Sequence, residues 1–402
     1  LMWHFGGKLD HVTGATMGQP TAAGSLAGPE YEWGHKVGPA GYLIGCAEKG
    51  DYWNPPPGNG YGFLCDVARA SEVGAECIAT YVLDGPNREL PGGQPAPKHR
   101  VELRLLPEAG SELITARAPG LDQNAPKADY TILRRKGTGL SSAFVSVVEP
   151  KDGAASVRSA NRLTCDAEGA VGVVITTSDG FDYILSSVSG KPTAFTTATG
   201  ERISFTGRFG FLRVRGGKVE KGVLVGGSQL AMGSYSLASK SSTISGKVTA
   251  VDNEHSVLTL DTDRLSKSKG RGDDVIYLSR DQYSHTSPYL VKKVDRNQVT
   301  LDGDFVLARG QAGEKQPIVK DGIANIVPLP TARNVNYKTT GCFRGKLIRN
   351  DRTGETSTVI DTTDDFITIR VKDPAKFPAG DSFTIYDIQP GDRFTIPAIV
   401  EK

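Results

Sequence analysis

Between Gly62 and Leu237 the chain is a succession of short runs that suit only an extended backbone, and their spacing constrains the fold more than any other feature. Residues 79–83 (ATYVL), 100–106 (RVELRLL) and 112–116 (ELITA) alternate apolar with polar side chains or are β-branched, as half-buried strands require. Residues 130–134, 142–148, 172–176, 181–186, 201–205 and 209–214 continue the series. Turn signals separate them: Asp152-Gly153, Ser178-Asp179-Gly180, Ser189-Gly190 and Arg215-Gly216-Gly217-Lys218. Strands recurring about every 8–12 residues between such turns predict an antiparallel sandwich. The 48 glycines and 23 prolines among 402 residues disfavour helices, and no amphipathic helix of three turns is legible. The expected fold is all-β: an antiparallel β-sandwich followed by smaller repeated β modules, barrel- or sandwich-like.

Three domains are expected, at 1–237, 238–330 and 331–402. The first opens with a long region rich in Gly, Pro and aromatic residues. The other two rest on a repeat. Gly246-Lys247-Val248 runs through a turn to Val257-Leu258-Thr259-Leu260-Asp261, and Gly345-Lys346-Leu347 runs through a turn to Ser357-Thr358-Val359-Ile360-Asp361. Gly-Asp strands follow at Gly272-Asp273, Gly380-Asp381 and Gly391-Asp392. Similar units about 100 residues apart predict duplication.

Charge narrows the function classes. Forty-seven Lys+Arg against 45 Asp+Glu leave a formal net charge of +2, which argues against a nucleic-acid partner. No apolar run approaches the roughly 18 residues of a membrane-spanning helix, so no membrane span is expected. The opening Leu1-Met2-Trp3-His4-Phe5-Gly6-Gly7 reads as strand rather than signal peptide, which suggests a processed product or part of a longer one. None of the five cysteines (Cys46, Cys65, Cys77, Cys165, Cys342) forms a C-x-x-C pair. A Cys46–Cys65 bridge and reduced, buried thiols stand as equal alternatives.

Three segments within 1–237 resemble the C-terminal β-sandwich of heparinase II/III-like polysaccharide lyases. They are Trp3-His4-Phe5-Gly6, residues 130–137 (YTILRRKG), and residues 142–150, whose Phe144-Val145-Ser146-Val147-Val148-Glu149-Pro150 is similar to a family strand. The resemblance implies a secreted, extracellular or periplasmic protein that handles anionic polysaccharide. In that family an α/α toroid upstream supplies the carboxylate-neutralising group and the tyrosine for β-elimination, and the sandwich supplies a histidine in an Asn-His-x-His-x-Asp-like stretch. No such stretch occurs here. The chain therefore reads as the non-catalytic part of such an enzyme, with no catalytic residue, metal or cofactor of its own. Its partner would be an upstream toroid or, through strand pairing, neighbouring subunits.

Several residues remain candidates. Trp33 and Trp53, in Gly/Pro-rich loop, could stack on sugar rings, or simply anchor the loop to the core. Arg134 and Arg135 could fork onto uronate or sulfate groups, or form a solvated strand edge. His4 and His11, with His35, Asp10 and Glu32, could form a residual or metal site, although a strand histidine satisfied by hydrogen bonds is the plainer reading. Two other classes stay open: an extracellular filament-forming protein that assembles through unpaired strand edges, and a carbohydrate-binding module.

Overall fold

A computed structural model of the chain describes residues 1–29, 36–37, 42–43, 61–62, 64–83, 99–118, 128–151, 156–165, 167–267, 274–312, 324–326, 343–362 and 369–402. The protein is all-β. Helical turns among the described residues include Arg264–Lys267 and Pro374–Lys376. Two compact units form, one from Leu1–Val223, Gln229–Leu237 and the last two residues, the other from Leu224–Ser228 and Ala238–Val400.

The first unit begins with β1 (Met2–His4), β2 (Gly7–Met17) and a small hairpin of β3 (Lys36–Val37) and β4 (Tyr42–Leu43). The 19-residue β5 (Cys65–Leu83) follows, then β6 (His99–Leu105), β7 (Ser111–Ala118), β8 (Ala128–Arg135) and β9 (Ser146–Lys151). The start of β5 pairs with β7, which continues through β8 to β1, and its end pairs with β2 and β6, which continues to β9. One strand thus serves both layers. Alternation then sorts side chains by face. Leu113 and Leu133 point into the interlayer core with Cys77, Tyr81, Leu103 and Leu105, while Ile114 and Ile132 point the other way and are covered by Leu26 and Leu64. Tyr81 Oη meets Thr131 Oγ1 across the core at 2.6 Å, and burial pushes this phenol up to about 12.

The strand expected over 142–148 begins at Ser146, and its Glu149 explains the Glu-Pro step. The buried Oε1 of Glu149 accepts from Ser156 N (2.7 Å), Ser156 Oγ (2.7 Å) and Val157 N (3.0 Å), fastening β9 to β10 (Val157–Arg162). Burial pushes this carboxyl up, but the Ser156 and Val157 hydrogen bonds win and hold it below the usual carboxylate range. Beside it, the buried guanidinium of Arg104 reaches Glu76 (3.0 Å), Glu102 (2.7 Å) and Val157 O (2.9 Å).

A second pair of sheets completes the unit. One contains β10, β11 (Ala170–Thr177), β12 (Gly180–Ser187), β15 (Phe209–Arg215) and β16 (Lys218–Val225). The other contains β13 (Thr193–Thr196), β14 (Arg202–Thr206), β17 (Gln229–Met232) and β18 (Tyr235–Ala238). Leu185 and Leu212 of the first are fully buried, as are Phe195, Ile203 and Leu230 of the second.

The second unit corrects both the repeat register and the consecutive modules expected at 238–330 and 331–402. β19 (Thr243–Asp252), β20 (Val257–Leu260), β21 (Val275–Ser279), β22 (Ser287–Asp295) and β23 (Gln298–Asp302) close into a barrel only with β30 (Arg393–Pro397), which pairs with both β19 and β21. Between β23 and β30 lie β24 (Val306–Gln311), β25 (Ala324–Ile326), β26 (Leu347–Asn350), β27 (Thr356–Thr362), β28 (Ile369–Val371) and β29 (Ser382–Tyr386). Their sheet order, β24-β29-β26-β27-β28-β25, repeats the barrel order β19-β30-β21-β22-β23-β20. The copies are therefore nested, and Gly345-Lys346 leads into β26, the counterpart of β21, so it does not correspond to Gly246-Lys247, which lies within β19. The correspondence that survives is between the Gly-Asp-x-Phe-Thr-Ile strands, 380–385 and 391–396. Each phenylalanine sits opposite a glycine, Phe394 against Gly246 and Phe383 against Gly310, and a methyl group on either glycine would meet the ring within 3 Å. The proposed boundary at 330 lies outside the described residues. The last strand, β31, is Ile399–Glu401.

The loop joining the two copies, residues 387–392, carries charge into the interior. Burial pushes the Asp387 carboxyl up, yet Lys346, Tyr289 and Ser287 hold it below its ordinary range. The Asp392 carboxyl is raised, burial outweighing hydrogen bonds from Gln389 N, Arg280 and Tyr283.

Two outcomes follow. Glu149→Gln should cost about 1–2 kcal/mol in urea unfolding at neutral pH, since a charged acceptor becomes a neutral one. Because the folded value is depressed, this stabilisation is full above the unfolded carboxylate value near about 4.3 and is lost as pH falls through the folded value. The variant should therefore show a shallower acid-induced loss. Gly310→Ala places its methyl 2.6 Å from Phe383 Cζ and should destabilise the second unit by about 1–3 kcal/mol in thermal unfolding.

Candidate functional site

The second sandwich of the first unit does not close at one end. Positions 181, 183 and 185 of β12 share a face and grade from half-exposed Phe181 through Tyr183 to fully buried Leu185. Where the core gives way, a cavity of about 1080 Å³ opens. Its floor is Phe181, Tyr183 and Val214, and its sides are Arg162, Glu201, Lys218, Tyr235 and Lys402. That size suits a small ligand or a few sugar residues, since ligand sites span about 300–1,000 Å³.

Each wall has a local cause. The Phe181 and Tyr183 rings lie 6.3 Å apart at 35°, with Phe181 half-exposed and Tyr183 buried. Burial, then the nearby Glu201 carboxylate, raises the Tyr183 phenol, so it stays protonated. Glu201 is set by a tight turn in which Thr197 Oγ1 accepts from Glu201 N at 3.0 Å. Arg162 is held by the sandwich itself: Nε donates to Leu106 O at 3.0 Å, Nη2 to Ala143 O at 2.5 Å, and Nη1 lies 3.6 Å from Glu108 Oε1. Tyr235 lies over Gly222, where any Cβ would meet its hydroxyl oxygen at 2.5 Å, and donates to Lys402 O at 3.0 Å. Aromatic faces, hydroxyls and cationic groups together favour a polar, ring-shaped, anionic ligand. Among the described residues no group of His, Cys, Asp or Glu is arranged to hold a metal.

The residues singled out from sequence lie elsewhere. Trp33 and Trp53, with His35 and Glu32, fall outside the described residues, as does Cys46 of the Cys46–Cys65 alternative. Arg134 forks onto Glu112 with Nε at 2.9 Å and Nη2 at 2.8 Å. Arg135 binds Glu108 Oε2 (2.6 Å), Ser141 O and Ser142 Oγ. Both forks are thus taken by the sandwich itself. His4 sits exposed on β1 with its ring 4.8 Å from that of Tyr130. His11, on β2, contacts Asp10 (3.1 Å) and Thr80 (3.4 Å). The two histidines sit on strands with different partners, β8 and β5. Cys77 and Cys165 are free thiols. Of the cleft residues, Phe181, Tyr183, Glu201 and Val214 were legible as members of expected strands and Lys218 as part of a turn, while Arg162, Tyr235 and Lys402 carried no signal; the period-two aromatics 181 and 183 were the available one. Among the described residues no helix is long and apolar enough to cross a membrane.

No family model, curated protein or solved structure matches the chain.

Gly222→Ala should push the Tyr235 ring off the cleft wall while leaving the sandwich folded. The expected readout is increased quenching of tyrosine fluorescence by acrylamide with little change in circular dichroism.

Proposed function

We propose that this chain is the β-rich, non-catalytic part of a secreted heparinase II/III-like polysaccharide lyase, and that the open end of its second sandwich holds a segment of anionic polysaccharide. The cleft supports this reading: the half-exposed Phe181 ring borders the same opening as Lys218 and Lys402, a pairing suited to uronate-containing sugars. A sugar ring stacks on Phe181 through its C–H face while its carboxylate meets the cationic rim. Elimination itself requires a neutralised carboxylate beside a base, and a toroid upstream supplies both. The sandwich contributes grip and orientation.

Calorimetric titration of the purified chain with alginate oligosaccharides checks this. Binding is expected, and Phe181→Ala and Lys218→Ala should each weaken it about tenfold, equivalent to about 1.4 kcal/mol. Equal binding of a neutral glucan would contradict the anionic-ligand reading. Incubation of the chain alone with polymer should leave unsaturated-uronate absorbance flat, and a robust rise would overturn the non-catalytic assignment.

A further inference from the structure

Lys346 and Asp387 meet in the second unit under conditions unlike those of any surface ion pair. β26 and β29 are antiparallel neighbours with Leu347 opposite Tyr386, so Lys346 and Asp387 are the next residues facing each other beyond that pair. Lys346 is fully buried and Asp387 is 5% exposed. The Lys346 Nζ lies 2.5 Å from Asp387 Oδ1 and 3.0 Å from the Asp387 carbonyl oxygen, with the Tyr283 ring covering it at 3.5 Å. Ser287 Oγ donates to Oδ1 at 2.9 Å, and Tyr289 Oη donates to Oδ2 at 2.7 Å. Tyr283 is itself fixed by its hydroxyl against both oxygens of Asp392 and by Gln389 Nε2 at 2.9 Å.

An amine and a carboxyl group held in contact and shielded from water have what amide formation needs. Two charges sealed in a low-dielectric interior are costly, whereas an amide is neutral. Fixed proximity supplies the large effective concentration of an intramolecular reaction. From these contacts we propose that Lys346 and Asp387 condense into an intramolecular amide bond that staples β26 to β29. A proton passes from Nζ to Oδ1, leaving a neutral amine beside a neutral carboxylic acid. The nitrogen lone pair adds to Cγ, the hydroxyl of Tyr289 stabilises the negative charge that develops on Oδ2, and Ser287 holds the Oδ1 side of the group in place. The second Nζ proton passes to the Oδ1 hydroxyl, the negative charge on Oδ2 collapses to the amide carbonyl, the Cγ–Oδ1 bond breaks, and Oδ1 departs as water. The Nζ–Cγ bond is formed and one C–O bond is broken, with no oxidant or reductant.

Intact-mass spectrometry of the purified full chain tests this. The expected mass is one water below that of the sequence, and trypsin should release residues 345–349 joined to residues 377–393, with no cleavage after Lys346. Lys346→Met should restore the sequence mass. If that variant fails to fold, Asp387→Asn serves instead: by losing ammonia rather than water, it should give the same joined peptide as the wild type. Folded wild-type protein at full mass with two linear peptides, or a water loss mapping elsewhere, would overturn the proposal.

Discussion

β5 is the constraint on which the first unit depends. A strand of 19 residues is too long to stay in one flat sheet, because twist accumulates along it and the ladder breaks at register shifts. Its two ends accordingly belong to different layers, and the layers must face each other across the side chains of its second half. Cys77, Ala79 and Tyr81 follow from that geometry as the centre of the core. The polar ties then have fixed places: Glu76 at the bend accepts from Ala160 N, and Arg104 on the neighbouring strand fills the gap between Glu76 and Glu102.

In the second unit the equivalent role falls to a loop. Nesting one six-stranded copy inside another forces the chain from β29 directly into β30 through residues 387–392, of which Asp387, Ile388, Gln389 and Asp392 are buried away from water. Lys346, Arg280, Tyr283, Ser287 and Tyr289 all converge on its two aspartates. A buried charge must be paired or neutralised, and these side chains do the pairing. The same enclosure brings an amine and a carboxyl group within reach of each other.

The candidate cleft has a different origin. It lies where a sandwich runs out of apolar residues before its sheets end, so Phe181, a ring that would be core elsewhere, stands half open. Arg134 and Arg135 show the opposite case. As a sequence they form a conspicuous basic pair, yet Glu112 and Glu108, 22 and 27 residues away, occupy their guanidinium groups. Side-chain type advertises a charge, but only the fold determines whether that charge still has a vacancy.

The sequence by itself determined that the chain is all-β, and where most strands and turns fall, because alternation and Gly/Asp turn chemistry act over a few residues. It also marked the Gly-Asp-x-Phe-Thr-Ile strands as related. Only the tertiary structure decided that the copies are nested, since pairing β19 with β30 links residues about 150 apart and no local signal encodes a partner at that distance. It likewise chose Phe181, Tyr183 and Tyr235 for the cleft and left Arg134 and Arg135 engaged. Exposure at a strand position depends on what the facing sheet brings to it, and that is a property of packing rather than of the strand's own residues.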